Sequence, residues 1–237
     1  GTLRPCAEEA PDEYKDSPLG RIPKSWTIRK FKDLTDSAIL GTPLRGKVDK
    51  IGKQVPLIKM GNIKKGHMDL SDLEYVDEQT IEENHISFLN PGDFLFNTRN
   101  TPELVGKTAV WNKEKMEAAF DNNILRVKFS EGVIPDYVNI YMSQGAGNAL
   151  VKNMAKGTTS VAAIYWESLS RFLVPIPASI FEQKKIAKVV DSIDEYIKSM
   201  SDHRDKLKKI KFGLMQDLLT GKVRFNLQEV EEAVANV

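Results

Sequence analysis

Residues 174–187 read VPIPASIFEQKKIA, and they divide the chain into two kinds of sequence. Pro175 and Pro177 bias the residues before them toward extended geometry, so this segment closes a strand-and-loop region. Ser179 and Glu182 follow at the S-x-x-E spacing of a capping box, in which each side chain satisfies the other residue's backbone N–H at a helix start. The next forty or so residues hold no proline, and Gly221, with Lys222 and Arg224 beyond it, marks a C-terminal stop. Between these signals Ile186, Val190, Ile193, Ile197, Met200, Leu207, Leu214 and Leu218 recur in alternating steps of four and three. Arg204 and Lys211 fill the two remaining places of the same series. That is a heptad stripe, as in a helix packed lengthwise on another helix. A helix over 180–220 would be roughly 60 Å long, about twice the diameter of a small domain. It is expected to project and to seek a partner helix. The competing arrangement is a hairpin folded back at Asp202-His203 or at Gly213.

Working back from that joint, the sequence predicts a mixed α+β domain. Residues 1–18 read as a flexible leader. The body begins at LGRIPKSWTIRKFKDL, where Trp26, Ile28, Phe31 and Leu34 are the apolar anchors. Strand patterns cover 54–63, 72–76, 92–98, 106–111 and 123–129, each bounded by Gly, Pro, Asn or Asp. PDYVNIYMSQ (135–144) reads as a helix, and GNALVKNMAK (147–156) as a second one ending at Gly157. No regular βαβ period links these elements. The expected organisation is a leader (1–18), a domain (19–178), a long helix (179–221) and a tail (222–237).

Composition narrows the function classes. The chain of 237 residues is 41% hydrophobic and 28% charged, with no apolar run long enough for a membrane helix. The N-terminus lacks the apolar centre of a signal peptide, and Cys6 is the single cysteine, so a cytoplasmic setting is expected without disulfides or a Cys-based metal site. A net charge of +1 leaves any nucleic-acid role to local clusters. His67, His85 and His203 are not at metal-ligand spacing, and no phosphate-binding glycine loop or G-x-S-x-G occurs. A catalytic role for this chain is therefore not expected.

Four loops instead carry side chains suited to DNA. GTPLRGKVDK (41–50) offers Thr42, Arg45 and Lys47, with Gly41 and Gly46 permitting close backbone approach. KMGNIKKGH (59–67) offers Lys59, Asn62 and Lys64. NTRNT (97–101) presents Arg99 and Asn100 straight after an apolar strand, and KGTTS (156–160) supplies Lys156, Thr158 and Thr159. Arg reads guanine bidentately and Asn reads adenine, while Lys and hydroxyl groups hold phosphates. Each loop alone is also consistent with a solvated turn.

The order of these features resembles the specificity (S) subunit of type I restriction–modification systems. The resemblance is carried by LGRIPKSWTIRKFKDL, GTPLRGKV, PLIKMGNI, PGDFLFNTRNTPELVGKTAVW, NNILRVKF, KGTTSVAAIYWESLSRFLVPIPASIFEQKKIAKVVDSIDEYI and FGLMQDLLTGKVRF, spanning residues 19–225. It implies a non-catalytic, sequence-specific reader of double-stranded DNA. Such a subunit directs adenine methylation by methyltransferase subunits and cleavage by an endonuclease/translocase subunit. S-adenosylmethionine, ATP and Mg would belong to those partners and none to this chain. A full S subunit holds two recognition domains and two long helices packed antiparallel as a spacer. This chain resembles half of one. The resemblance thus implies a homodimer, with the stripe from Ile186 to Leu218 as the coiled-coil seam, pairing with a different half encoded separately, or an engineered or truncated half of a longer subunit.

Overall fold

The structure, a computed structural model, describes residues 5–45, 54–158 and 160–224. The chain divides into two units between Ala187 and Lys188.

The first unit is built on a four-stranded antiparallel sheet with the order Thr35–Leu40, Ile124–Phe129, Asp93–Asn97 and Thr108–Trp111. Every residue of Asp93–Asn97 is buried. Alternation sends Phe94 and Phe96 to one face and Leu95 to the other, so both faces are covered. On one side Phe94 and Phe96 join Phe31, Leu34, Val138 and Val174 in the larger core. The helices Pro135–Ser143 and Gly145–Asn153 contribute to this side through Val138, Met142 and Val151. On the other side Leu95, Trp111 and Ile124 meet Ile58, Ile63 and Phe120. Those three come from or adjoin a second sheet, in which Ala119–Phe120 runs parallel to Gln54–Ile58 and Glu74–Asp77 antiparallel to it.

The ends of the unit close on each other. Trp26–Lys30 pairs antiparallel with Leu173–Pro177, with Trp26 opposite Pro177 and Ile28 opposite Pro175. Proline is tolerated there because this ribbon has two strands, so one edge of each makes no ladder bonds. Tyr137 Oη donates to the Pro175 carbonyl at 2.6 Å, fastening the ribbon to the helix Pro135–Ser143.

The long helix runs Ile180–Leu219 without interruption, 40 residues in all. Ser179 Oγ accepts from Glu182 N–H at 3.4 Å, the first half of the expected capping box. The Glu182 carboxylate also accepts from Trp26 Nε1 at 3.1 Å. Gln183 does more than either. It is buried, donates to the carbonyls of Gly132 and Pro177 at 3.0 and 3.1 Å, and accepts from Ile134 N–H at 2.9 Å. Gln183 and Ala187, both buried, thus bind the first two helical turns into the body, and the first unit runs to Ala187.

In the second unit the helix ends in a Schellman arrangement. Gly221 N–H bonds to the Leu218 carbonyl, and Lys222 N–H to that of Asp217. Along it Ile193, Ile197, Met200, Leu207 and Leu214 are each about half exposed.

Three local expectations change. The segment read as a leader is ordered from residue 5, where Tyr14–Lys15 pairs with Ile22–Pro23 and Tyr14 Oη donates to the Pro5 carbonyl. The strand expected over 54–63 stops at Ile58, because Asn62 draws the chain into a turn. The second short helix ends at Asn153, and Lys156–Gly157 is a strand. Gly157 is there for closeness rather than capping: a Cβ on it would lie 2.1 Å from the Val161 carbonyl oxygen.

Candidate nucleic-acid interface

Two of the four loops converge through pairing that the sequence did not announce. Arg99–Asn100 pairs with Ala162–Ala163, which pairs in turn with Lys156–Gly157. Arg99 lies opposite Ala163, and Ala163 opposite Lys156. Cross-strand partners share a face, so Arg99 and Lys156 stand on the same side of this small sheet, about 10 Å apart across the middle strand. Asn100 takes the opposite face with Gly157 and Ala162. Thr158 shapes the hairpin end, its N–H donating to the Val161 carbonyl at 2.9 Å. Thr159 and Lys47 lie outside the described residues.

Beside Arg99 opens a cleft of about 130 Å³. Its lining includes Leu40, Thr98, Asn122, Ala163, Tyr165 and Trp166. Tyr165 is 58% exposed and Trp166 40%, high values for aromatic rings. Trp166 is held edge-on against the buried Phe31, with ring centres 6.3 Å apart, so its free part is presented on a rigid base. Aromatic faces of this kind stack on nucleobases or meet the thymine methyl group. Tyr165, Trp166 and Asn122 were missed in the sequence. The adjacent Tyr-Trp pair directly after an apolar strand was the available signal.

The other two loops gather around the turn at 121–123. Thr42 bridges to Asp121, and Asp121 N–H donates to the Ile58 carbonyl at 2.9 Å, just before Lys59. Gly41 is used by the fold itself, since a Cβ there would lie 2.2 Å from the Phe120 carbonyl oxygen. Thr42 is buried, and its Oγ1 accepts from Leu44 N–H at 3.2 Å. Arg45 is exposed. Asn62 is buried and serves as the staple of its loop. It accepts from Lys59 N–H at 2.9 Å and donates to the Asp69 and Asp72 carbonyls at 3.0 and 2.7 Å. These bonds leave its amide facing the loop and not a groove. Asn139 fixes the same loop to the sheet, donating to the Gly66 carbonyl at 2.7 Å and accepting from Thr108 Oγ1 at 2.8 Å.

The charges of this second group are largely compensated. Lys59 Nζ lies 2.6 Å from Glu74, and Lys64 Nζ 3.4 Å from Asp69. Bonds from Ser71, and then Lys64, hold the Asp69 carboxyl down at about 2. Burial pushes the Asp121 carboxyl up, opposed by bonds from Asn123 and the nearby charge of Lys59. Burial also lowers Lys107, and the neighbouring charge of Lys64 adds to this. Among the described residues, Arg99 and Lys156 carry no such compensation. Both are exposed and open to a polyanion.

Comparison with known proteins gives these features a setting. Residues 23–209 match the family model described as type I restriction modification DNA specificity domain. A Methanocaldococcus jannaschii protein named as the MjaX specificity subunit of a type I restriction enzyme is 27% identical over 210 residues, 88% of this chain and 49% of its own length. The EcoKI specificity subunit of Escherichia coli K12 is 25% identical over 172 residues, 70% of this chain and 36% of its own length. The chain thus spans about half, or less, of the length of these relatives. Its fold is shared with the HsdS subunit from Thermoanaerobacter tengcongensis, at a TM-score of 0.55 and 15% identity, covering 87% of this chain and 47% of that one. A chain from a type I R-M system studied for complex assembly and conformational transition aligns at a TM-score of 0.58 and 16% identity, with 89% of this chain and 49% of that one covered.

Proposed function

The chain belongs to the type I restriction–modification DNA specificity family, and we propose that it reads one half of a bipartite DNA site for a methyltransferase. The carrying observation is the small sheet that sets Arg99 and Lys156 on one face beside the aromatic cleft. Lys156 supplies phosphate attraction. Arg99 reaches a base edge, with Tyr165 and Trp166 giving apolar contact next to it. Chemistry falls to partners: a methylation subunit that binds S-adenosylmethionine, and an ATP- and Mg-dependent endonuclease subunit. Two copies of this chain joined through the long helix would then present two recognition domains, as a full specificity subunit does.

The test is DNA binding by the chain reconstituted with its methyltransferase subunit, followed by fluorescence anisotropy at several salt concentrations. Lys156→Ala is expected to weaken binding to all sequences alike and to reduce the salt slope by about 1. Arg99→Ala is expected to cost about 1–3 kcal/mol on the specific site and little on random DNA. Unchanged affinity and slope in both variants would move the interface away from this sheet. Methyl transfer by the chain alone with S-adenosylmethionine would refute the non-catalytic reading.

A further inference from the structure

We infer that the cleft beside Arg99 receives the 5-methyl group of a thymine in the DNA major groove, in the base pair next to the one that Arg99 reaches. The inference rests on the DNA-reading face proposed above and names what the apolar part of that face recognises.

The depth of the cleft is hydrocarbon. Leu125, Ala163 and Ile164 line it and are buried, while Leu40, Tyr165 and Trp166 line it and are exposed. The polar groups inside are already committed. Thr98 Oγ1 donates to the Asn123 carbonyl at 2.9 Å, and Ile164 N–H donates to the Thr98 carbonyl at 2.9 Å. The other two polar side chains of the lining, Arg99 and Asn122, are exposed. A polar base edge pushed into the cleft would therefore lose its water without gaining a partner, whereas an apolar group enters at no such cost.

Size and charge narrow that apolar group. The cleft measures about 130 Å³. An enclosed apolar cavity of about 150 Å³ takes up benzene, so a methyl group and the ring edge that bears it fit here. Ala163 stands between Arg99 and Lys156 on one face of the small sheet. Its side chain is a single methyl, so the face is hollow where a larger residue would fill it. An apolar hollow flanked by two cations suits an apolar group carried on a polyanion. In the major groove that group is the thymine methyl. A G·C pair presents none, so when Arg99 takes a guanine the methyl comes from the neighbouring pair, about 3.4 Å along the helix. Asn122 does not make this choice, since an amide can donate to thymine O4 or accept from cytosine N4. The hollow separates the two bases.

The test uses the chain reconstituted with its methyltransferase subunit, on the sequence that this complex selects from random DNA. Each thymine is replaced singly by uracil, which removes the methyl and keeps the pairing edge. One thymine in the sequence read by this domain is expected to lose about fourfold in affinity, the ~0.8 kcal/mol of one buried CH₂ at 1.4 kcal/mol per tenfold. At the same position 5-methylcytosine should bind more tightly than cytosine by a similar factor. Leu40→Ala opens one exposed wall of the cleft, and Ala163→Val fills its depth. Each should bring the thymine-to-uracil ratio at that position close to 1. Uracil that binds as thymine does at every position would overturn the inference and leave the DNA-reading face standing. So would a discrimination that survives both variants. Arg99→Ala and Lys156→Ala that bind as the wild-type chain does would instead bring down that face itself.

Discussion

Arg99, Trp166 and Asp121 show how single residues acquire a role from their surroundings. Arg99 was legible as a DNA-compatible side chain because it follows a buried strand. Trp166 was not, since an isolated Tyr-Trp pair is more often core. Only the packing of Trp166 on Phe31, with 40% of the residue left exposed, marks it as a candidate contact surface. Trp166→Ala is expected to weaken specific binding by about 1–3 kcal/mol, the range for loss of base–aromatic stacking. Circular dichroism and thermal unfolding of the variant would separate this from loss of fold. Asp121 yields a different prediction. Burial raises the carboxyls of Asp121 and Asp93 above the ordinary 3.8, with Asn123 and Arg126 among the groups opposing the rise. Each then holds its proton to a higher pH in the folded chain than in the unfolded one. The stabilising contribution is present at low pH and is lost as pH rises through the raised folded values. In urea unfolding between pH 4 and 7, the wild-type chain should therefore lose stability relative to Asp121→Asn as pH increases. Parallel curves for the two proteins would show that Asp121 is not desolvated as the structure indicates.

At the scale of elements, the long helix was the feature most fully expressed in sequence. Helix periodicity, a capping serine and a terminal glycine act locally, so their signal does not depend on distant residues. Its junction with the body was less visible. Gln183 is one polar residue in a charged run, and nothing in that run shows that its amide will meet Gly132, Pro177 and Ile134. Gln183→Ala would leave the partly buried Ile134 N–H without its acceptor. The expected loss is about 1–3 kcal/mol in the unfolding free energy of the body, measured by denaturant titration. Gln183→Glu should not rescue it, since a carboxylate cannot donate to the two carbonyls. The strands Trp26–Lys30 and Thr35–Leu40 were hidden for a related reason. Their partners, Leu173–Pro177 and Ile124–Phe129, lie far along the chain, and pairing over such distances leaves only weak local alternation.

At the scale of the molecule, two copies joined about a two-fold axis would impose their symmetry on the DNA they read. The sequence recognised would then be an interrupted palindrome. Mapping methylated adenines after reaction with the reconstituted complex tests this, and an asymmetric bipartite site would exclude the symmetric dimer. What the sequence alone determined was the division into a mixed α+β body and a long heptad-bearing helix, together with the DNA-compatible residue types in the loops. Periodicity, capping and composition are local properties, and they survive without knowledge of contacts. What only the tertiary structure decided was which loops share a face. Asn62 became a buried staple, Lys59 and Lys64 found carboxylates, and Arg99 met Lys156 across a strand of two alanines. Those outcomes depend on long-range strand pairing, which sets the orientation of each side chain only when the whole sheet is assembled.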